Sequence, residues 1–360
     1  VSGANTKYYV ELIQNKAYLR NLIAASQQIT EEGFNSEADI DEVMDRAEKQ
    51  ILNVTRTRRT AEFRNSKEIV GTVLENIQKM SQQHSNLTGT TSGYRRLDRI
   101  TNGFQKGDLI LLAARPSMGK TAFALNVALN AAQGSDKAVA LFSLEMPAEQ
   151  LITRMLSVKS RLNGSDLRTG QLKSNQAWNA LNEAAADLKN MKIYIDDSPS
   201  IRVAEIFSKC RKLQSENALS LIIIDYIQLI TGSGKSSSDN RQQEVSEISR
   251  ALKALARELE VPVIALSQLS RMVEQRAGNK PQLSDLRESG SLEQDADIVL
   301  FLYRESYYKR EEEEKATEVT EVLISKHRNG ATGSVNLAFE RSINAFYNIL
   351  DPTSSQGQAE

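Results

Sequence analysis

Between residues 108 and 304 short, unbroken apolar runs alternate with stretches of helical period. The runs are "DLILLAA", "AVALFSLE", "KIYIDD", "LSLIIIDY", "VPVIALSQ" and "DIVLFLYR". A strand with one wet face alternates apolar and polar residues. Several of these do not, as expected of strands covered on both faces. Helical stretches lie between them at 120–132, 147–160, 174–189, 201–213 and 241–259. Strand–helix alternation of this kind predicts an α/β fold with a mostly parallel sheet between helical layers. The end of the region differs. "EVTEVLISKHRNGATGSVNLAFE" predicts two strands around Asn329-Gly330, a strong hairpin signal.

Ahead of this region the texture is helical. "NKAYLRNLIAASQQITEEGF" gathers Tyr18, Leu19, Leu22 and Ile23 on one face. "EADIDEVMDRAEKQILNV" does the same with Ile40, Val43, Met44, Ala47, Ile51 and Leu52, after a break containing Gly33. Together they predict an antiparallel helical hairpin. The polar, basic "TRTRRTAEFRNS" reads as a linker. A helix follows, capped by Ser66 and carrying Ile69, Val73, Ile77 and Met80 on one face. That stripe either packs within its own chain or docks on a neighbouring subunit. The expected organisation is a partial helical domain over 1–60, a linker with its helix over 61–89, an α/β domain over 90–350 and a tail over 351–360. The chain opens without Met in what reads as mid-domain, which predicts sequence upstream.

Several classes fall away on composition. The net charge of −1 gives no global field for a polyanion, so contact with nucleic acid must come from local basic patches. The lone Cys210 excludes an intrachain disulfide and fits a reducing compartment. Its place in "IRVAEIFSKCRKL" makes it a packing thiol on an amphipathic helix. Two histidines and one cysteine leave too few ligands for a structural zinc site. No apolar run reaches the roughly 18 residues of a membrane span.

The chemistry concentrates at "ARPSMGKTA", which follows the first predicted strand and opens the helix "KTAFALNVALNAA". That is the context of a phosphate-binding loop, whose backbone N–H groups and helix N-terminus face the phosphates. Ser117, Met118, Gly119 and Ala122 would wrap the phosphates. Lys120 would reach the β and γ groups and Thr121 would hold Mg²⁺. The pattern has Gly at the first position where this chain has Ala114; a small residue suffices there if its φ is negative. A second G-K-S at 234–236 continues into "SSSDN" with no helix start, so it reads as a flexible loop.

Other strand ends carry candidates. Asp225 closes "LIIID" and would join the magnesium shell. Glu145 in "LFSLEMP" either polarises the attacking water or serves as a charge near the helix begun at Pro147. Gln268 either senses a γ-phosphate or is a satisfied polar strand end. Lys326 and Arg328 share a face beside the hairpin tip. They are either solvated edge charges or cations that enter a neighbour's site. Arg287, Glu288 and Gly290, in a loop before a strand, either contact a nucleic-acid backbone or form an ordinary charged loop. "KREEEEK" at 309–315 reads as a solvated loop.

Taken in order, "ARPSMGKTAFALN", "FSLEM", "IIIDYIQLI", "LSQLSR", "LSDLRESGSLEQDAD" and "KHRNG" resemble the bacterial replicative DNA helicases, hexameric rings with a RecA-like P-loop NTPase motor. The resemblance covers nearly the whole chain. It implies that ATP and Mg²⁺ bind at Lys120, Thr121 and Asp225, that Glu145 is the catalytic glutamate and that Gln268 couples. It also implies that Arg328 is an arginine finger with Lys326 as companion, both acting on the adjacent subunit's ATP. Arg287, Glu288 and Gly290 match the loop that touches single-stranded DNA. Residues 1–60 look like part of a collar that meets primase, and 66–80 like the linker helix that docks on the next motor. The implied setting is the cytoplasm at a replication fork, with 5′→3′ movement and a helicase loader. Two rivals stand beside this reading: a filament-forming recombinase with the same core, and an ATP-binding scaffold without turnover.

Overall fold

A computed structural model describes residues 3–35, scattered positions from 40 to 54, and 66–82, 87–231, 241–276, 278–309 and 317–349. Most of the second expected N-terminal helix and of the basic linker lies outside the described residues. So do the 232–240 loop with its second G-K-S, most of "KREEEEK" and the 351–360 tail.

The chain divides into two units, 1–84 and 85–360. In the first, one helix runs Gly3–Asn35 and passes through Gly33, where the sequence suggested a break. A second helix spans Ser66–Gln82, with Ile69, Val70, Val73, Leu74 and Ile77 all exposed.

The second unit is built on a nine-stranded sheet in the order β3-β2-β4-β5-β1-β6-β7-β8-β9. Its strands are β1 Leu109–Ala114, β2 Ala138–Ser143, β3 Ile193–Asp196, β4 Leu219–Asp225, β5 Val263–Gln268, β6 Ile298–Tyr303, β7 Thr317–His327, β8 Gly333–Glu340 and β9 Ala345–Asn348. The strands from β3 to β6 are parallel, while β7, β8 and β9 add antiparallel pairs at one side. Each expected strand forms, and each expected helix in this region forms within a few residues of its reading. The short helices Arg95–Thr101 and Gly164–Thr169 and the strand β9 had no sequence signal strong enough to find them.

Side chains of β1 show why the runs lack alternation. Ile110, Leu112 and Ala114 enter one hydrophobic core, and Leu109, Leu111 and Ala113 enter the other. The first core is covered by the helix Lys120–Gln133, buried on nearly every side with Phe123, Leu125 and Val127. Helices Val203–Glu216 and Arg241–Leu259 cover the second with one apolar stripe each, including Ile206, Ile248, Leu252 and Leu255. Cys210 is buried there and its thiol is pushed up to about 12 by burial, so it packs rather than reacts.

Register assembles the site. Because parallel strands all end on one edge, Ser143 faces Asp225 and Ala114 faces Gln268 there. At the opposite edge Leu109 accepts a backbone hydrogen bond from Asp297, whose carbonyl accepts from Arg328 N at 2.8 Å. The β7–β8 ladder ends at Ile324↔Gly333, so the hairpin forms but its connection is longer than a two-residue Asn-Gly turn. Neither Asn329 nor Gly330 takes the positive φ such a turn requires.

The antiparallel addition is bolted to the phosphate-loop helix by aromatic packing. Phe346 stacks on Phe339 at 4.3 Å between ring centroids and meets Phe123 edge-on at 5.5 Å. Phe346→Ala is expected to lower the unfolding free energy of this unit by about 3–5 kcal/mol, read from denaturant melts.

Candidate functional site

The strand ends on the parallel edge surround a cavity of about 550 Å³ lined by Arg115, Ser117, Gly119, Lys120, Thr121, Ala122, Glu145 and Gln268, with Arg154, Tyr226, Arg304, Phe339, Arg341 and Asn344 beside them. Its floor is the turn from β1 into the helix Lys120–Gln133. Ser117 holds φ at +65° and Gly119 at +93°, the left-handed region. Gly119 is required twice over, because an added Cβ would also stand 3.2 Å from Phe346 Cζ. Ala114 is buried and its φ is not positive, so alanine meets the demand at the first loop position. Met118 packs in the first core, facing away from the cavity.

Two arginines brace the loop, Arg115 from within it and Arg304 from outside. Arg115 donates from Nη1 to the Leu269 carbonyl at 2.9 Å and pairs with Glu274 at 2.7 Å. Arg304, at the end of β6, donates from Nη1 to the Ser117 carbonyl at 3.0 Å. Arg304 is only 2% exposed, and Glu318 accepts from its Nε at 3.1 Å and Nη2 at 2.9 Å. Ser306 donates to the same Glu318 oxygen at 2.5 Å. Burial alone would raise the Glu318 carboxyl, but Ser306 and Arg304 hold it below the usual glutamate value. The Arg304 guanidinium also lies 5.3 Å from the Phe339 ring centroid, a flat cationic and aromatic pair in the cavity wall.

Lys120 is a largely buried cation on the floor of the cavity. Its Nζ lies 3.9 Å from Asp225 Oδ1 and 4.7 Å from the Tyr226 ring centroid. Burial pushes its pKa down, and Asp225 and Glu145 oppose that shift. Thr121 donates from Oγ1 to Asp225 Oδ2 at 2.6 Å. The other Asp225 oxygen, Oδ1, is buried with no hydrogen-bond partner. A hydroxyl and an unsatisfied buried carboxylate oxygen at a phosphate loop are the hard oxygen ligands that Mg²⁺ takes. Among the described residues no cluster of three or more His, Cys, Asp or Glu could hold a metal. These two residues therefore suit a cation whose remaining ligands are phosphate oxygens and water.

Glu145 is exposed at the cavity mouth, and its charge acts on Lys120 and Tyr226. Gln268 ends β5 with its side chain exposed beside it. Gln228, just past Asp225, donates to Ser267 at 2.8 Å and ties the two strand ends together.

The hairpin cations are not in this cavity. β1 separates the two edges by about 16 Å at the usual strand rise. Arg328 lies at the far edge, half exposed, with one side-chain contact at 3.4 Å to Asp297 Oδ1. Asp297 also accepts from Leu109 N at 2.8 Å and from Lys253. Lys326 donates to the carbonyls of Glu293 at 2.5 Å and Ala296 at 2.8 Å, closing the end of the short helix Gly290–Asp295. Burial and the Arg328 charge push its pKa below the usual lysine value. Arg287, Glu288 and Gly290 were expected in a loop. Their backbone is helical instead, a 3-10 segment Leu283–Ser289 running into that short helix. Asp285 shapes it by accepting from both Arg276 Nη atoms at 2.9 Å.

Sequence reasoning missed Arg154, Arg304, Tyr226, Phe339, Arg341 and Asn344. Tyr226 had a local signal, since it follows the strand-end aspartate directly. The others come from distant segments, and only the fold brings them to the cavity.

Residues 89–348 match the family described as DnaB-like helicase C terminal domain. The chain is 51% identical over 348 residues to the replicative DNA helicase DnaC of Bacillus subtilis, covering 97% of this chain and 76% of that protein. It is equally similar to the replicative DNA helicase DnaB of Geobacillus stearothermophilus, at 51% over the same coverage. Among solved structures, a DnaB-like replicative helicase described with its interactions with primase superposes at TM-score 0.80 with 38% identity, over 97% of this chain and 80% of that one. A second solved structure, described as an ATPase domain, superposes at TM-score 0.74 with 43% identity, over 80% of this chain and all of that one.

Glu318→Gln leaves the Arg304 guanidinium buried without its counter-charge. The variant is expected to lose about 3 kcal/mol of unfolding free energy. A carboxyl held low in the fold contributes fully above the ordinary glutamate pKa and loses that contribution as pH falls through the lowered value. The wild type should therefore show an acid limb in its stability profile that is reduced in Glu318→Gln.

Proposed function

The chain belongs to the DnaB-like helicase family, and from that premise we propose that it is the ATP-driven motor of a replicative helicase, a ring of six copies moving 5′→3′ on single-stranded DNA. The observation that carries the motor reading is the Thr121–Asp225 hydrogen bond under the phosphate loop, with the free Asp225 Oδ1 beside Lys120. In the proposed mechanism the loop N–H groups from Ser117 to Ala122 bind the phosphates, and Lys120 neutralises charge on the transferring group. Thr121 and Asp225 would hold Mg²⁺, which when bound would withdraw charge from the phosphate oxygens. Glu145 orients the attacking water and accepts its proton as the new bond to the γ-phosphorus forms and the bond from that phosphorus to the β–γ bridging oxygen breaks, leaving ADP and inorganic phosphate.

Arg328 supplies the last charge from a neighbouring copy. The separation of the two sheet edges, about 16 Å, supports this, because the residue cannot serve its own chain's cleft. Lys326 is the companion and a relay: it touches the carbonyls at the end of the helix that Gly290 begins, next to the proposed DNA contacts Arg287 and Glu288. Gln268, backed by Gln228 on Ser267, would carry loss of the γ-phosphate toward that segment. The exposed apolar stripe Ile69, Val73 and Ile77 fits the linker helix that docks on the next motor. The organisation as 1–60, 61–89, 90–350 and 351–360, the primase contact through the N-terminal part, the helicase loader and the cytoplasmic setting belong to the same proposal. Among the described residues no helix is long and apolar enough to cross a membrane. Family membership decides against the filament recombinase, and turnover decides the scaffold.

Steady-state ATPase with and without single-stranded DNA tests the reading. DNA should stimulate the wild type, and Glu145→Gln should lower kcat by about 100-fold or more. An equimolar mixture of wild type and Arg328→Ala, after subunit exchange, should fall well below the mean of the two. Simple averaging would remove Arg328 from the shared site, and no turnover in the wild type would favour the scaffold.

A further inference from the structure

A second cavity of about 800 Å³ adjoins the nucleotide cleft, and Arg154, Arg341 and Asn344 face both. Arg168, Asn163 and Ser165 line the second cavity only. Among the described residues its lining holds three arginines and no carboxylate. Arg341 has a distant counter-charge, Glu318 at 3.6 Å, and Arg168 donates only to the Gly164 carbonyl at 3.3 Å. Arg154, partly buried on the helix Ala148–Ser160, makes no hydrogen bond or ion pair among the described residues. It feels Arg168 as a like charge and Asp225 and Glu145 as opposite ones, none in contact. Burial penalises a cation held this way, and an anion entering the cavity would supply the compensating charge.

We propose that this cavity is a second phosphate-binding chamber, in which Arg154, Arg168 and Arg341 hold a phosphate dianion beside the nucleotide cleft. Forked guanidinium donors match phosphate oxygens two at a time, and the side-chain amides of Asn163 and Asn344 add single donors. The volume lies within the usual range of ligand pockets, about 300–1,000 Å³. The shared wall defines the route in. Arg154 stands within the field of Glu145 and Asp225, where the γ-phosphate is cleaved, and also faces Arg168 on the far side. The dianion comes from one of two sources: inorganic phosphate released in the cleft, or the terminal phosphates of a second nucleotide. The inference rests on the hydrolytic reading of the adjoining cleft.

The test uses the full chain with its clefts saturated by a non-hydrolysable ATP analogue, and measures binding of radiolabelled inorganic phosphate and the analogue stoichiometry. One analogue per chain with phosphate still bound identifies released phosphate as the occupant. Two analogues per chain, the second lost in Arg168→Gln, identifies a nucleotide. In either case Arg168→Gln should weaken the second binding event by about tenfold or more, as loss of a charge-assisted contact does. Arg168→Lys should restore part of it. Matching thermal unfolding of Arg168→Gln and wild type separates a lost site from a lost fold; where they differ, Arg168→Lys gives the result. Absence of both binding events in filled clefts, or equal affinity in wild type and Arg168→Gln, overturns the chamber. Because binding is read without turnover, a chain that fails to hydrolyse ATP refutes the hydrolytic reading separately.

Discussion

The buried guanidinium of Arg304 is the constraint on which the cleft depends. Its fork is held on three fronts: two donors to Glu318, one to the Ser117 carbonyl, and one face against Phe339. Ser117 holds a left-handed backbone without being glycine, a conformation that persists only where its surroundings over-determine it. The guanidinium supplies that determination from the end of β6, and Glu318 at the start of β7 fixes the guanidinium. The antiparallel strands thus do more than widen the sheet. They carry the counter-charge that keeps the phosphate loop open.

The parallel core was legible because its physics is local. A strand buried on both faces must be apolar at every position, so β1, β4 and β6 announce themselves in the sequence. The loop from Ser117 to Thr121 was legible for a related reason, since a tight turn between a buried strand and a helix admits few residues. What could not be read are pairings between distant segments. Arg154 looks like any cation on a helix, and Arg304 like the polar end of a strand. Only the fold sets one against Arg168 and the other against Ser117. The strand β9, four residues long, has no periodicity to detect. Asn329-Gly330 misled in detail, because Arg328 donates its backbone N–H to Asp297 and the turn is shaped from outside.

Charge in the cleft is arranged for a ligand of the opposite sign. Lys120 and Arg154 are cations that burial disfavours, and the nearby carboxylates only partly compensate. Asp225 spends one oxygen on Thr121 and leaves the other unsatisfied. A protein interior tolerates such unmet demands where a ligand meets them. Nucleotide binding should then satisfy the buried polar groups and tighten the packing around Phe339 and Phe346 together, because Gly119 lies against both rings.

Asp297 binds Leu109 N at the start of β1 and also holds Arg328, so donor and acceptor ends of the proposed shared site are fixed to opposite ends of one rigid strand. On that proposal each copy offers one cleft and one finger pointing opposite ways, and copies can satisfy each other only head to tail. Such an array obeys a counting rule. A closed ring completes as many sites as it has members, whereas an open one always leaves a single cleft without a donor and a single finger without a cleft. Opening the ring anywhere would silence one identifiable site and leave the rest intact.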